Sequence, residues 1–320
     1  MLKDKIRFIM AAAVTLLWAL PMGAAETWHL DGGQNWQAVS DKDKYLLAAA
    51  EIKKLVETGQ SEAVGKALSK LKKDFPEIAG ADLDAFMEAE VLLSEGKFSK
   101  ASRSYDKFLA EYPESELYQA ALDRQFGIGT AFLGGQKRSV LGIFRMKGYA
   151  TGEKIMEKIS DRAGDAPVGI KASVAVAESL EKRGKFEEAY HKWSEISSRW
   201  SGGEIGRNAL LAMARCKHAA HKGSKYDASN LISAKSYYGN FKLRYPETAG
   251  EIDVDEKLDE INEQLANKQL NIGKYYEKTG NKEAANLYYQ MVVDNWSEST
   301  AAKAAKEAMI KDSGITEIKK

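Results

Sequence analysis

The chain has 320 residues, with 47 Lys and Arg against 46 Asp and Glu, a formal net charge of +1. That balance argues against nucleic acid or a strongly anionic surface as the main partner. A single cysteine, Cys216, excludes an internal disulfide, and five prolines among abundant Ala, Lys, Glu and Leu fit an almost wholly helical protein.

Residues 1–25 read as a secretory signal peptide, with an uncleaved N-terminal anchor as the alternative. Lys3, Lys5 and Arg7 form the positive region, Phe8–Leu20 is an apolar run of 13 residues, and Gly23-Ala24-Ala25 offers small residues before Glu26. Glu26 stands where a lipid-accepting cysteine would follow such a signal, so no lipid anchor of that type is expected. Removing these residues takes away three basic groups and one acidic group, leaving 44 against 45 and a net charge of −1. Residues 26–40 hold Trp28, Trp36 and a Gly pair with little periodicity, and read as an irregular lead-in.

From residue 41 the apolar spacing predicts antiparallel helix pairs. These are Asp41–Thr58 with Ser61–Asp74, Ala81–Ser94 with Phe98–Tyr112, and Ser115–Leu133 with Tyr149–Arg162 across a Gly-rich insertion. Pro167–Arg183 with Lys185–Trp200, Glu204–Lys222 with Ser229–Tyr245, and Asp253–Thr279 with Lys282–Trp296 follow. Ser299 is expected to cap a last helix ending near Asp312, read as a polar cap, with residues 313–320 as a polar tail.

One block recurs in the second helices: a small residue, an aromatic four on, an apolar residue three later, and an aromatic four further. It reads Ala101, Tyr105, Phe108, Tyr112; then Ala189, Trp193, Ile196, Trp200; then Ala234, Tyr238, Phe241, Tyr245; then Ala285, Tyr289, Val292, Trp296. Val64, Leu68, Leu71 and Phe75 form an early, degenerate copy. Steps of four, three and four keep all members on one helix face. Tyr105, Trp193, Tyr238 and Tyr289 therefore read as core residues rather than as a peptide-binding ladder. Neighbouring copies, apart from the two that flank the Gly-rich stretch, recur every 37 to 51 residues. Gly96-Lys97-Phe98 and Gly184-Lys185-Phe186 mark the turn inside a pair, and Gly280 keeps the same place.

These are marks of tetratricopeptide repeats. The expected fold class is all-α, a right-handed superhelix of about six antiparallel pairs over residues 41–312. The run from Leu258, with Tyr275-Tyr276 before Gly280 and Trp296-Ser297 after the next helix, resembles the BamD (YfiO-like) outer-membrane β-barrel assembly family. Phe98–Ser115 resembles the same family's block ending in Tyr-Pro. Two departures stand out: the lipid-accepting cysteine is missing, and Gln264 occupies a place where the family usually carries a basic residue.

No catalytic residue is expected: no GxSxG, HExxH or phosphate-binding Gly loop occurs. Cys216, His218 and His221 lie close in sequence, but on a helix Cys216 diverges from His218 by about 200°. They read as a buried thiol beside surface histidines, and no metal or cofactor is expected.

Partner-binding candidates are the features that break the repeat. The insertion Gly134–Tyr149 holds Arg138, Phe144, Arg145 and Met146, with Tyr149 at its end. The long helix Asp253–Thr279 carries Lys257, Glu260 and Gln264 on an N-terminal overrun expected to project from the array, and Tyr275 and Tyr276 near its other end. The resemblance implies a non-catalytic periplasmic scaffold. Its partners would be β-barrel assembly proteins or unfolded outer-membrane protein segments, and they would hold it beside the outer membrane. A coordinator of cell-wall synthesis or division of the Tol-Pal-associated type is the alternative. A peptidoglycan-processing enzyme is a third reading, which would need paired carboxylates facing a groove.

Overall fold

The computed structural model describes residues 28–30, 36–38, 41–76, 80–140 and 144–312. The signal-peptide reading of 1–25 and the polar tail at 313–320 lie outside the described residues. The chain forms two compact units, one up to Ser104 and one from Tyr105.

In the first unit, strands β1 (Trp28–Leu30) and β2 (Trp36–Ala38) pair antiparallel, where the sequence suggested an irregular segment. Helices α1 (Asp41–Glu57), α2 (Ser61–Asp74) and α3 (Ala81–Ser94) follow. α1 packs on α2 and both pack on α3. Tyr45 of α1 meets Phe75 edge to face at 5.8 Å. Val64, Leu68 and Leu71, the early copy of the repeat block, form the buried stripe of α2.

Helix α4 (Phe98–Glu111) runs across the boundary between the units. The second unit continues with α5 (Tyr118–Leu133), strands β3 (Lys137–Val140) and β4 (Phe144–Lys147), and α6 (Tyr149–Ala163). Then come α7 (Pro167–Lys182), α8 (Phe186–Arg199), α9 (Gly203–Ala219) and α10 (Ser229–Arg244). A short α11 (Pro246–Glu251), the 25-residue α12 (Val254–Lys278), α13 (Lys282–Asn295) and α14 (Thr300–Asp312) end it. From α5 to α10 each helix packs on its neighbour in sequence; α10 then packs on α12, and α12 packs on both α13 and α14. The fold is all-α, built of antiparallel helix pairs in the tetratricopeptide manner.

The turns at Gly59, Gly96, Gly184 and Gly280 share one construction. At Gly184 the backbone N–H bonds back to Glu181 at 2.9 Å and the next N–H, Lys185, reaches Leu180 at 3.0 Å. Gly280 and Asn281 repeat this with Glu277 at 3.1 Å and Tyr276 at 2.9 Å. This double bond pattern closes a helix only if the glycine adopts a left-handed conformation, and φ is 72° at Gly184 and 84° at Gly280.

The repeat block sits as its spacing requires. Ala101, Ala189, Ala234 and Ala285 are buried, and so are Phe108, Ile196, Phe241 and Val292. The second aromatic of the block ends the helix. Trp200, Tyr245 and Trp296 are C-cap residues with φ between −126° and −141°, each returning its N–H to the carbonyl four residues back. The first aromatics are core: Tyr105, Trp193, Tyr238 and Tyr289 are all at most 5% exposed. Two of them hydrogen-bond a carboxylate twelve residues earlier, Trp193 Nε1 to Glu181 and Tyr289 OH to Glu277, so a buried polar tip is satisfied by the preceding helix.

Four expectations change. The third pair starts at Tyr118 rather than Ser115, because the Ser115 side chain accepts the Leu117 N–H at 3.2 Å and closes a turn before the helix. The insertion after α5 is a β-hairpin, with Arg138 opposite Met146 and Val140 opposite Phe144. The N-terminal part of α12 does not project: Val254 and Ile261 are fully buried with Leu231, Tyr238 and Phe241 of α10. The last helix is only partly polar, since Ala301, Ala302 and Ala305 pack against α12 and α13. Its start is fixed as expected, with Ser299 Oγ accepting the Ala302 N–H at 3.0 Å.

Two tests follow from the packing. A Cβ on Gly273 of α12 would come within 2.6 Å of the Tyr289 ring. Gly273→Ala should therefore lower unfolding free energy by about 1–3 kcal/mol, despite the better helix propensity of Ala, in urea melts. Asp106 of α4 receives Lys158 and Arg162 of α6. Burial alone would raise its pKa, but the hydrogen bonds from Lys158 and Arg162 outweigh it and hold the carboxyl below its usual value. A depressed folded pKa gives stability that is present above the unfolded value, about 3.9, and lost as pH falls through the folded one. Asp106→Asn should be less stable than the parent at neutral pH, and the difference should shrink in melts carried out below about pH 3.

Candidate functional site

A polar cleft of about 790 Å³ opens between α9, the segment after it, α10 and α12. Its α12 wall is Lys257, Glu260, Gln264 and Asn267. Steps of three, four and three put these four on one stripe of the helix. The buried set of the same helix, Val254, Ile261, Leu265, Ala266 and Leu270, lies off that stripe, so one face of α12 is core and another borders the cleft. Arg215, His218 and Ala219 line the cleft from α9, and Tyr238 from α10. His221, Lys222, Gly223 and Ser224 complete it after α9 ends at Ala219, three residues before the expected end.

Charge in the cleft is arranged around two carboxylates. Glu181 of α7 holds Arg215 through two parallel bonds, Nε and Nη2 each at 2.9 Å. That hydrogen bonding, more than the opposing effect of burial, raises the Arg215 pKa. Glu260 is shared: Lys257 Nζ lies 3.3 Å from one oxygen, while Gln264 Nε2 at 3.4 Å and His218 Nε2 at 3.9 Å address the other. His218 also lies 3.3 Å from Gln264 Oε1 and meets the Tyr238 ring edge-on at 6.4 Å. The Lys268 ammonium bonds the carbonyls of Ser224 at 3.3 Å and Tyr226 at 2.5 Å, tying the loop wall to α12.

The expectation of surface histidines needs correcting. The His218 side chain is only 14% exposed, and both His218 and His221 line the cleft. Burial lowers the His221 pKa, assisted by Lys268 and His218 and opposed by the Asp227 backbone; its Nδ1 is buried without a hydrogen-bond partner. Cys216 faces the core and is fully buried, as expected. Among the described residues, no group of three metal-ligating side chains comes together.

The ten candidate residues fall in three places. Lys257, Glu260 and Gln264 are in the cleft. The second place is the hairpin, carrying Arg138, Phe144, Arg145 and Met146, with Met146 59% exposed. Tyr149 at its foot is held between cations, with the Arg183 guanidinium 4.6 Å and Lys147 Nζ 5.6 Å from its ring. The third place is the C-terminal end of α12. Tyr275 is exposed there, whereas Tyr276 stacks on Tyr288 at 5.5 Å and packs on the core shared with α13 and α14. Sequence reasoning missed Arg215, Lys222, Tyr238 and Asn267 as neighbours of this site. Only the 3-4-3 polar stripe of α12 signalled that one of its faces avoids the core.

Residues 207–315 match the family model described as YfiO, outer membrane lipoprotein. The match takes in every residue that lines the cleft, and Tyr275 and Tyr276, but none of the hairpin. A curated relative, the outer membrane protein assembly factor BamD of Rickettsia prowazekii (strain Madrid E), is 32% identical over 71 residues. That alignment covers 22% of this chain and 28% of the relative's own length. The chain is thus similar to the YfiO/BamD family in its C-terminal third. A solved structure, the human IFIT1 dimer with m7Gppp-AAAA, aligns over 80% of this chain and 70% of its own at 12% identity. Its TM-score of 0.24 carries no argument. Among the described residues no helix is long and apolar enough to cross a membrane.

Burial, more than the nearby Glu181, pushes the Cys216 thiol up to about 12. A buried thiol of that kind is inert. Alkylation of Cys216 by iodoacetamide at pH about 8 should be at least about a hundredfold slower in the folded chain than in urea, followed by mass spectrometry.

Proposed function

We propose that this chain is a non-catalytic periplasmic scaffold. It binds partner proteins in the assembly of outer-membrane β-barrel proteins, and the cleft beside α12 is a docking site. The observation that carries this reading is that every residue lining the cleft falls within the YfiO match, which begins at residue 207 inside α9. Paired helices on a rigid frame, with a polar cleft and a fixed loop wall, suit reversible binding.

In this reading residues 1–25 direct export, 41–312 form the repeat array, and partner proteins hold the chain beside the outer membrane. Tyr275, exposed beyond the cleft, and the hairpin residues Arg138, Phe144, Arg145 and Met146 are secondary contact candidates. Gln264 replaces the usual basic residue of the resembled family, and its amide is held by His218 and Glu260.

Photo-crosslinking from positions 257 and 264 of the tagged chain in envelope membranes, with partners identified by mass, tests the proposal. Recovery of β-barrel assembly proteins is expected, with loss of the adducts when residues 253–310 are trimmed. Recovery of only cell-wall enzymes or division proteins would overturn it.

A further inference from the structure

The cleft is cationic in an unusual way for a chain whose total charge is balanced. Three cations line it, Arg215, Lys222 and Lys257, against two carboxylates, Glu260 in its wall and Glu181 bound to Arg215. Their situations differ. Arg215 is committed to Glu181 through both prongs of its guanidinium. Lys257 is paired loosely, on the same helix, with Glu260 at 3.3 Å. Lys222 forms no ion pair among the described residues, although it stands on the wall facing α12. A cleft of about 790 Å³ is large enough for several residues of an extended chain.

We infer that the cleft takes a carboxylate-bearing acidic segment of another polypeptide, held by Lys222 and Lys257, with His218 coupling its capture to proton uptake. The inference rests on the reading of the cleft as a docking site, but not on which partner docks there.

The proton coupling comes from the sharing of Glu260. In the neutral state of His218, Glu260 is the counter-ion of Lys257. Histidine is the side chain whose charge changes between about pH 5 and 8. Once His218 carries a proton, Glu260, 3.9 Å from its Nε2, becomes a partner for the imidazolium. The carboxylate then divides between two cations, and Lys257 is left with charge to offer a ligand. The groups facing His218 agree with this role. Arg215 on its own helix is neutralised by Glu181, Tyr238 from α10 presents a buried neutral phenol, and Gln264 from α12 is uncharged. Burial holds the His221 pKa down, and its Nδ1 is buried without a hydrogen-bond partner. Binding should therefore tighten as pH falls, while ligand carboxylates remain ionised down to about pH 4.3.

The test is fluorescence anisotropy of the full chain with a labelled alternating Glu-Gly decapeptide and its Gln-Gly counterpart at low ionic strength. Selective binding of the Glu peptide is expected, at least about fivefold tighter at pH about 5.5 than at about 7.5. Lys222→Ala with Lys257→Ala, the first exposed and the second half-buried, should weaken it about tenfold or more with little change in Tm. His218→Gln should keep binding near pH about 7.5 and abolish its dependence on pH. Failure to prefer Glu over Gln peptide, or insensitivity to the lysine pair, would overturn the inference. A pH dependence that survives in His218→Gln would overturn the proton coupling. If crosslinks from position 257 capture assembly proteins while the Glu peptide does not bind, this inference fails and the docking reading stands. If the crosslinks capture none, the docking reading fails first.

Discussion

The close approach of two helices at each glycine turn is the constraint on which the rest of this structure depends. A repeat helix has one apolar stripe and cannot bury it alone. The left-handed glycine folds the chain back within two residues, and the alanine five residues later, buried at Ala101, Ala189 and Ala285, lets the partner helix come near. Only then can a large aromatic fill the elbow without clash. In two of the four copies a carboxylate of the first helix satisfies its polar tip, Glu181 for Trp193 and Glu277 for Tyr289.

The long helix α12 turns that local rule into a functional feature. Its first half belongs to the core with α9 and α10 through Val254, Ile261 and Leu265. Its second half belongs to the core with α13 and α14 through Ala266 and Leu270. Glu263 joins the two halves to the last helix by accepting the backbone N–H of Thr300 at 2.8 Å and Ala301 at 3.2 Å. Burial would raise its pKa, yet these bonds and the one from Asn267 hold it down, as a carboxylate at a helix N-terminus requires. With so much of its surface committed, α12 keeps only the stripe from Lys257 to Asn267 for the cleft. The charge distribution there is set by which carboxylates the neighbouring repeats supply.

Much of the fold was legible because its signals are local. Steps of four, three and four among Ala, aromatic and apolar residues define a helix face whatever the neighbours are, and in each of the four copies the first three members are buried. The glycines at 59, 96, 184 and 280 each report a backbone angle, which is a property of one residue. The hairpin was less legible: its strands are four residues each, and nothing periodic separates Lys137–Val140 from a loop. The site was legible in part. Lys257, Glu260 and Gln264 share a helix face and could be grouped from spacing. Arg215, Lys222 and Tyr238 could not be added to them, because they come from other helices.

The sequence by itself determined the helix pairs, their turns and the core aromatics, since each follows from the 3.6-residue period or from one residue's backbone freedom. Tertiary structure decided that the start of α12 is buried rather than projecting, that His218 and His221 face a cleft rather than solvent, and that Glu260 is shared between Lys257, Gln264 and His218. Those outcomes depend on how far one helix stands from another. That distance is the sum of many packing contacts between residues remote in sequence, and no local pattern encodes it.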